Sequence, residues 1–360
     1  MIPYIQEMAV RDKKWLTRET FRTGVAVCQS LPGATAMQVA AWTGLKSGRI
    51  RGALGAYLGF GLPAFVLICL FSWIYVRTQD NSTALALFSG LKGVVLGLMG
   101  YAGLSFIHKY LRTGFDWLIA VSAAIWLWLR LNPIIAILGL CLLAGAVGPK
   151  SRLFSRPEAP AGPFRLGSLL PAIILAGLLV SLLLLVLALD KELGGLGWLM
   201  IRIDLFAFGG GYVSIPLMLH ELVEARGLIT ASQFMDGVAL GQATPGPIVM
   251  TGAFAGYLIR GPAGAAIAAL FLFAPSFILL IAAEPLVDRL RSWEWFARGL
   301  QGSLAVLVGL ICVVALRFGL TLSSEPIPLV IAVGSALALH FKVKTYWVAA
   351  AGGIIALVLN

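Results

Sequence analysis

The chain has 360 residues, of which 59% are hydrophobic and 12% are charged. Globular domains are about 45–50% hydrophobic and about 25% charged, so this composition excludes both a water-soluble fold and a disordered chain. The 27 Lys and Arg against 16 Asp and Glu give a net charge of +11. In so apolar a chain this excess is typical of short basic loops beside a membrane and not of nucleic-acid binding. We therefore expect an all-α integral membrane protein, with the lipid bilayer as its surroundings.

Cysteine and histidine give no sign of a metal site or a cofactor. The four cysteines and three histidines show no paired or metal-ligating spacing. The cysteines lie in apolar runs and are interpreted as small core residues, so neither a disulfide nor a bound metal is expected. Segment 1–22 is charged and lacks the apolar core of a secretory signal peptide.

Apolar runs must reach about 17–25 residues to cross a bilayer as a helix. In chain order, such runs lie near 53–76, 84–107, 167–189, 195–219, 263–285 and 295–316. Shorter coupled pairs lie near 115–129 with 133–148 and near 326–341 with 345–359. Two further apolar stretches, 24–44 and 234–256, are each interrupted by a Pro-Gly pair. The least apolar linker, 149–166, is basic and proline-rich, and we expect it to be cytoplasmic and to separate two halves.

The halves, 1–148 and 167–360, repeat one another. Setting Pro3 on Pro216 and running without a gap to Gly33 on Gly246 leaves ten identical positions. They are Pro3, Val10, Thr17, Phe21, Gly24, Val25, Ala26, Gln29, Pro32 and Gly33. Further on, 90–93 is matched to 299–302, which sets Lys92 on Gln301. Two homologous helical bundles are typical of secondary transporters.

The relative orientation of the halves follows from loop charge. Segment 1–22 is more basic than its counterpart 220–233, which predicts opposite orientations and hence an inverted repeat. Counting every apolar run as a full span, with both Pro-Gly stretches re-entrant, gives parallel halves instead. The second half also has a helix near 198–211 with no counterpart in the first, since Met1 aligns with Ser214. Three interpretations are open: the chain is truncated at its start, its start was assigned late, or the protein works without this helix.

The paired Pro-Gly breaks are the best candidates for a binding site. Proline removes a backbone donor and glycine permits an unusual turn, so a helix that restarts after the pair directs free amide hydrogens into the break. Those donors and the positive end of the helix dipole can bind an anion without a buried cation. The alternative is a simple kink in a spanning helix. The candidate residues are Gln29, Pro32, Gly33, Ala34, Thr35, Gln38, Gln242, Thr244, Pro245, Gly246, Pro247 and Thr251.

Further candidates lie in other apolar runs. Gly209-Gly210-Gly211 permits close approach of a ligand or backbone, with a tight contact between helices as the alternative. Lys92 carries a charge deep in an apolar run. Three interpretations are open for it: contact with an anion, pairing with an acid or the backbone, or extension of the side chain to the membrane interface.

Acidic residues are sparse. Arg202 and Asp204 are expected to form a structural ion pair, although spacing of two does not place them face to face on a helix. Asp204 is the best candidate for coupling to a proton, and Glu221 is the second.

The run Trp15-Leu16-Thr17 with Phe21, the Leu31-Pro32-Gly33 break, and Phe208-Gly209-Gly210-Gly211 with Thr244-Pro245-Gly246-Pro247 resemble the chromate ion transporter family. The resemblance covers both halves. It implies efflux of chromate across the bacterial inner membrane by a multi-pass protein, giving chromate resistance. Sulfate, also a tetrahedral dianion, is the alternative cargo. The family's Pro-Gly-Pro is Pro32-Gly33-Ala34 in the first half.

The sequence thus predicts a duplicated secondary transporter for an oxyanion, without enzyme activity. The site would lie near the membrane midplane, with Lys92 adding charge, Asp204 carrying a coupled proton and one half rocking against the other. A homodimer is compatible with the sequence. The alternatives are another small-anion transporter, a channel-like leak, a membrane-embedded lipid-modifying enzyme and a structural scaffold. The enzyme would require clustered acids, and the scaffold leaves two matched breaks unexplained.

Overall fold

A computed structural model describes residues 1–78, 81–151, 166–286 and 293–359. These residues form fourteen α-helices and no β-strand, as the composition predicts. Five helical segments are long and apolar enough to cross a bilayer. They are Thr35–Arg77, Ser82–Tyr110, Gly167–Leu189, Ile248–Leu286 and Glu294–Thr321. The chain is an all-α, multi-pass membrane protein.

The helices are α1 (Ile2–Gln6), α2 (Arg18–Ser30), α3 (Thr35–Arg77), α4 (Ser82–Tyr110), α5 (Gly114–Trp128), α6 (Pro133–Val147), α7 (Leu170–Leu189), α8 (Lys191–Phe206), α9 (Gly211–Met218), α10 (Ala231–Ala243), α11 (Thr251–Ala283), α12 (Glu294–Thr321), α13 (Pro326–His340) and α14 (Thr345–Leu359). A π-helical turn follows both α1 (Glu7–Asp12) and α9 (Leu219–Glu224), and a 3₁₀ turn, Ile248–Met250, precedes α11.

The first Pro-Gly break is the tip of a re-entrant hairpin. Helix α2 ends at Ser30 and α3 begins at Thr35, and α3 then folds back along α2. A Cβ placed on Gly24 would lie 2.2 Å from Trp42 Cδ1, whereas a straight helix would separate these residues by about 27 Å. We call α2, the tip 31–34 and the segment 35–47 hairpin 1. Its 13-residue arm α2 rises about 20 Å, which is too short to cross a hydrocarbon core of about 30 Å.

Helix α3 reverses again at Gly48 and Arg49, whose backbones are not helical. A Cβ on Gly61 would lie 2.9 Å from Met37 Cε, so 50–77 runs back beside hairpin 1. We call 50–77 long arm 1. It is the part of α3 that is long enough to span the membrane.

The second half repeats this path. Hairpin 2 consists of α10, the tip 244–247 and the segment 248–259, and a Cβ on Gly237 would lie 2.5 Å from Phe254 Cδ1 across it. Helix α11 turns at Arg260 and Gly261 and continues as long arm 2, 262–283. Both predicted breaks are therefore confirmed, and both are re-entrant turns and not kinks.

Close glycine contacts give the register of the repeat. A Cβ on Gly90 would lie 2.5 Å from Ala356 Cβ, and a Cβ on Gly302 would lie 2.3 Å from Ala144 Cβ. The same difference in residue number separates Gly90 from Gly302 and Ala144 from Ala356, so Gly90 is equivalent to Gly302 in the repeat. The match of Lys92 with Gln301 is therefore wrong by three residues.

The halves are interleaved. Helix α4 packs against α13 and α14 of the second half, and α12 packs against α5 and α6 of the first. The equivalent helices α4 and α12 also contact each other. A Cβ on Gly103 would lie 3.5 Å from Cys312 Sγ, and one on Gly319 would lie 3.9 Å from Leu96 Cδ1, so these two helices run antiparallel. Small residues let the backbones approach closely, which stabilises helix contacts in lipid.

The predicted run 195–219 is not one continuous span, because α8 ends at Phe206 and α9 begins only at Gly211. The predicted linker 149–166 lies mostly outside the described residues. The boundary between 1–148 and 167–360 stays a prediction.

Candidate functional site

Three helix breaks meet in the interior. The tip of hairpin 1 pairs with the break between α8 and α9, where Pro32 and Phe208 form an isolated antiparallel bridge. The amide of Gly33 donates to the carbonyl of Ala207 at 3.0 Å. Gly33 and Gly209 have φ of +103° and +98°, which side chains rarely adopt, and this explains glycine at both places. The predicted break and glycine run are thus brought together.

Helix N-termini converge on Gly210 and Gly211. A Cβ on Gly210 would lie 3.1 Å from Thr35 Oγ1 at the start of α3. A Cβ on Gly211, the first residue of α9, would lie 3.1 Å from Ile248 Cγ2 at the start of the helix that leaves tip 2. The first amides of a helix have no partner within it, and its N-terminus is the positive end of the dipole. Three such ends within contact distance form a site suited to a small anion.

A buried polar cluster lies behind the tip of hairpin 1. Asp204 Oδ2 accepts from the amide of Ser276 at 2.7 Å. Gln38 Nε2 donates to the carbonyl of Pro32 at 2.6 Å and to that of Ser276 at 3.4 Å. Tyr57 donates to the carbonyl of Phe273 at 2.8 Å. Four elements, α3, α8, α11 and the tip, therefore hold one another through hydrogen bonds.

Two atoms of this cluster lack partners. Asp204 Oδ1 and Gln38 Oε1 are buried and accept no hydrogen bond in the part of the chain that the structure describes. The two residues are 1% and 0% exposed. A buried unsatisfied acceptor costs about 1–3 kcal/mol, and more when it is charged.

The tip of hairpin 2 is less enclosed. Gly246 packs against long arm 1, where its Cβ would lie 2.3 Å from Ala64 Cβ, while Pro245 is exposed and Pro247 half-buried. Among the described residues, no segment pairs with 244–247 as the α8–α9 break pairs with tip 1.

The predicted polar residues of hairpin 2 are engaged locally. Thr244 donates to the carbonyl of Gly241 at 2.8 Å, and Thr251 donates to that of Ile248 at 2.8 Å. Gln242 donates to Tyr212 Oη at 3.4 Å, which joins α10 to the start of α9. In hairpin 1, Gln29 is exposed and Ala34 is buried.

Lys92 lies away from the tips. Its Nζ donates to Ser232 Oγ at 2.7 Å and lies 3.6 Å from Asp236 Oδ1, and Tyr75 donates to the other carboxylate oxygen at 2.9 Å. Sequence reasoning missed Asp236 because it lies in a stretch that we interpreted as simply apolar. Its equivalent in hairpin 1 is Thr23, so the repeat gave no signal for it.

The expected ion pair between Arg202 and Asp204 is wrong. Arg202 donates to Glu221 at 2.9 Å, and Arg226 lies 3.5 Å from the other oxygen of the same carboxylate. Their spacing sends Asp204 to the opposite side of α8, toward Ser276. Glu221 is thus neutralised by two arginines, and it is not part of the polar cluster.

A duplicated helical bundle whose re-entrant hairpins meet a broken helix inside the membrane defines a multi-pass membrane transporter. The chain belongs to the chromate transporter family, whose sequence profile matches residues 1–146 and 194–357. The resemblance seen in the sequence is thereby confirmed. Membership implies an oxyanion substrate and a transporter, not an enzyme.

Several curated proteins are similar over most of the chain. An uncharacterized transporter of Methanocaldococcus jannaschii is 35% identical over 95% of this chain and 85% of its own length. A chromate transport protein of Pseudomonas aeruginosa is 29% identical over 86% of this chain and 74% of its own. One of Cupriavidus metallidurans is 26% identical over 94% and 82%. No solved structure matches the chain.

Proposed function

We propose that this protein is a secondary transporter that exports chromate across the bacterial inner membrane and so confers chromate resistance. The observation that carries the proposal is the convergence of three helix N-termini on Gly210 and Gly211. The family and the relatives named as chromate transport proteins support chromate as the cargo. Sulfate has the same charge and shape, so it serves as the competing ligand in every test below.

Backbone amides are the main ligands of the dianion in this proposal. The first turns of α3, α9 and the helix after tip 2 present them, and Thr35 adds a hydroxyl. Lys92 and Glu221 are engaged elsewhere, so we leave both out of the proposed site. Amides bind an oxyanion without the desolvation cost of a buried lysine.

We propose further that the two halves are inverted and that the hairpins gate access from opposite faces. The antiparallel packing of α4 and α12 supports inversion. Lys46 at the base of hairpin 1 is paired with Glu284 at the end of long arm 2. Tyr75 near the end of long arm 1 contacts Asp236 near the base of hairpin 2. Each long arm thus ends beside the base of the other hairpin, as inverted repeats require.

Asp204 is the proposed coupling residue. It is buried beside the tip of hairpin 1, and a charge held there would repel an arriving dianion. Binding of a proton would remove that repulsion. A proton and chromate would then bind together and be exported together.

The test uses everted membrane vesicles containing the full chain, with radiolabelled chromate and an imposed proton gradient. We expect uptake into the vesicles that excess sulfate inhibits. Thr35→Val, which removes one donor while keeping the shape, should raise the half-saturating chromate concentration about tenfold. Gly195→Ala is the matched control, because no atom lies within 4 Å of a Cβ at that position of α8.

Equal chromate accumulation in vesicles with and without the protein would end the proposal. Uptake of sulfate that chromate fails to inhibit would move the cargo assignment to sulfate. Uptake that saturates normally in Thr35→Val would remove the start of α3 from the site.

A further inference from the structure

The polar cluster behind hairpin 1 has used its donors and still has two acceptors to satisfy. The Ser276 amide donates to Asp204, Gln38 Nε2 donates to two carbonyls, and Tyr57 donates to Phe273. The Ser276 hydroxyl donates to the same Phe273 carbonyl at 3.1 Å. The oxygens left over are Asp204 Oδ1 and Gln38 Oε1. The Ser276 hydroxyl can turn from the Phe273 carbonyl toward Asp204, and Gln38 Oε1 then still has no donor among the described residues.

A proton on Asp204 would supply the missing donor. When Asp204 Oδ1 carries the proton, the carboxyl becomes a hydrogen-bond donor. Gln38 Oε1 is an acceptor without a donor among the described residues. The two side chains share their neighbours. Each hydrogen-bonds the backbone of Ser276, and Gln38 bonds Pro32 while Asp204 Oδ1 lies 2.9 Å from the Cβ position of Gly33.

A sodium ion fits these atoms poorly. A metal cation held by oxygen ligands needs about six of them around a cavity of its own. In the described part of this cluster two side-chain oxygens are unsatisfied, fewer than such an ion takes.

We propose that Gln38 is the positioning residue that holds the coupling proton on Asp204 and transmits its presence to the tip of hairpin 1. This inference rests on the proposed coupling role of Asp204. With the proton bound, Gln38 Oε1 accepts from the carboxyl, and Nε2 is free to hold the Pro32 carbonyl. With the proton lost to water, the carboxylate accepts only, so Gln38 must turn its NH₂ toward it. The amide then presents oxygen to the Pro32 carbonyl, the bond to the tip breaks, and hairpin 1 is released.

Few other ionisable groups can disturb this switch. Tyr57, from long arm 1, is the titratable side chain beside Asp204 among the described residues, and its hydroxyl lies 3.2 Å from Ser276 Oγ. Arg202, on the same helix as Asp204, is paired with Glu221. Helices α7 and α11 present apolar or neutral side chains and backbone here, so pH dependence of the tip should follow Asp204.

The test compares net transport driven by a proton gradient with chromate exchange at equal concentrations, which requires no net proton movement. In Gln38→Met we expect gradient-driven transport to fall about tenfold and its pH midpoint to move up by about one unit, because the carboxylate loses the amide donor that turns to it when the proton leaves. Exchange should change less than about threefold, since the anion ligands remain. Gln38→Glu keeps an acceptor and adds a second carboxyl, so its midpoint should move up. Gln6→Met, a half-buried glutamine of α1, is the control.

The outcomes separate the inference from the function on which it rests. If the wild type transports no chromate in either assay, the proposed function fails. If the wild type transports chromate and both Gln38 variants keep its pH profile, the inference fails alone. Transport that follows a sodium gradient at constant pH would also overturn it. If Gln38→Met does not reach the membrane folded, the upward shift expected of Gln38→Glu decides.

Discussion

Gly33→Ala tests how tightly the tip of hairpin 1 is packed. The new Cβ would lie 2.3 Å from Ser276 Cβ and 2.9 Å from Asp204 Oδ1, distances that the side chains cannot keep. The backbone at φ +103° adds strain of about 1–3 kcal/mol for a residue with a side chain, and overpacking adds about 1–3 kcal/mol. We expect the free energy of unfolding to fall by about 2–6 kcal/mol, measured by SDS titration of the protein in detergent micelles.

Two comparisons make this prediction specific. Gly59→Ala, where nothing lies within 4 Å of the Cβ, should be neutral or stabilise the helix by about 0.5–1 kcal/mol. In the double variant Gly33→Ala with Ser276→Gly the contact with the serine side chain is gone, while the backbone strain and the approach to Asp204 stay. The two changes should therefore couple by about 1–2 kcal/mol. A Gly33→Ala variant as stable as Gly59→Ala, or additive behaviour in the double variant, would refute the described docking of tip 1 on α11.

Three further perturbations probe the scaffold. Arg49→Gly should stabilise the protein by about 1 kcal/mol, because φ of 54° and ψ of −149° suit glycine. Gly261→Ala at the equivalent turn should destabilise it by about 1–3 kcal/mol. Changes of the same sign in SDS titration would contradict this. Lys92→Met leaves the buried Asp236 carboxylate without its cation and should cost about 3–5 kcal/mol, most of which Lys92→Met with Asp236→Leu should recover in a double-mutant cycle. Backbone amides of the following turn and the Arg260 guanidinium lower the pKa of Asp190. The stability that the Asp190 charge contributes is therefore lost as pH falls through that pKa. In Asp190→Asn thermal unfolding should show a smaller loss on acidification, and an unchanged loss would contradict this.

The hairpins could be predicted from the sequence because proline and glycine act locally. Pro32 with Gly33 and Pro245 with Gly246 interrupt helices whatever the surroundings, and their matched positions indicate a shared purpose. The second reversals, at Gly48 and at Arg260, carry no proline in the first half and were not predicted. There the signal is a pair of glycines eight residues apart, Gly44 and Gly52, whose backbones touch only after the chain has folded back.

Register and pairing could not be predicted for a different reason. Glycines three residues apart recur in both α4 and α12, so a slip of three residues preserves the glycine pattern and moves Lys92 onto Gln301. The structure places Leu304 there instead, and Leu304 packs against Gly209. Partners across the bundle, such as Arg202 with Glu221, depend on which side of a helix each residue faces. Arg202 and Glu221 are nineteen residues apart with a helix break between them, so their spacing does not show whether they face each other.

The duplicated hairpins have diverged in a way that assigns them different tasks. Tip 1 docks on Ser276 and is wholly buried, whereas tip 2 docks on Ala64, the equivalent residue, and leaves Pro245 exposed. At tip 1 the Ser276 hydroxyl and the Asp204 carboxylate belong to one polar cluster, whereas Ala64 has no hydroxyl and no carboxylate among the described residues hydrogen-bonds to tip 2. The proposed proton-linked change therefore has a titratable group at tip 1 and none among the described residues that hydrogen-bond to tip 2. Because a helix N-terminus from each tip lies beside Gly210 or Gly211, the proposed movement of tip 1 would alter the proposed anion site while tip 2 stays in place.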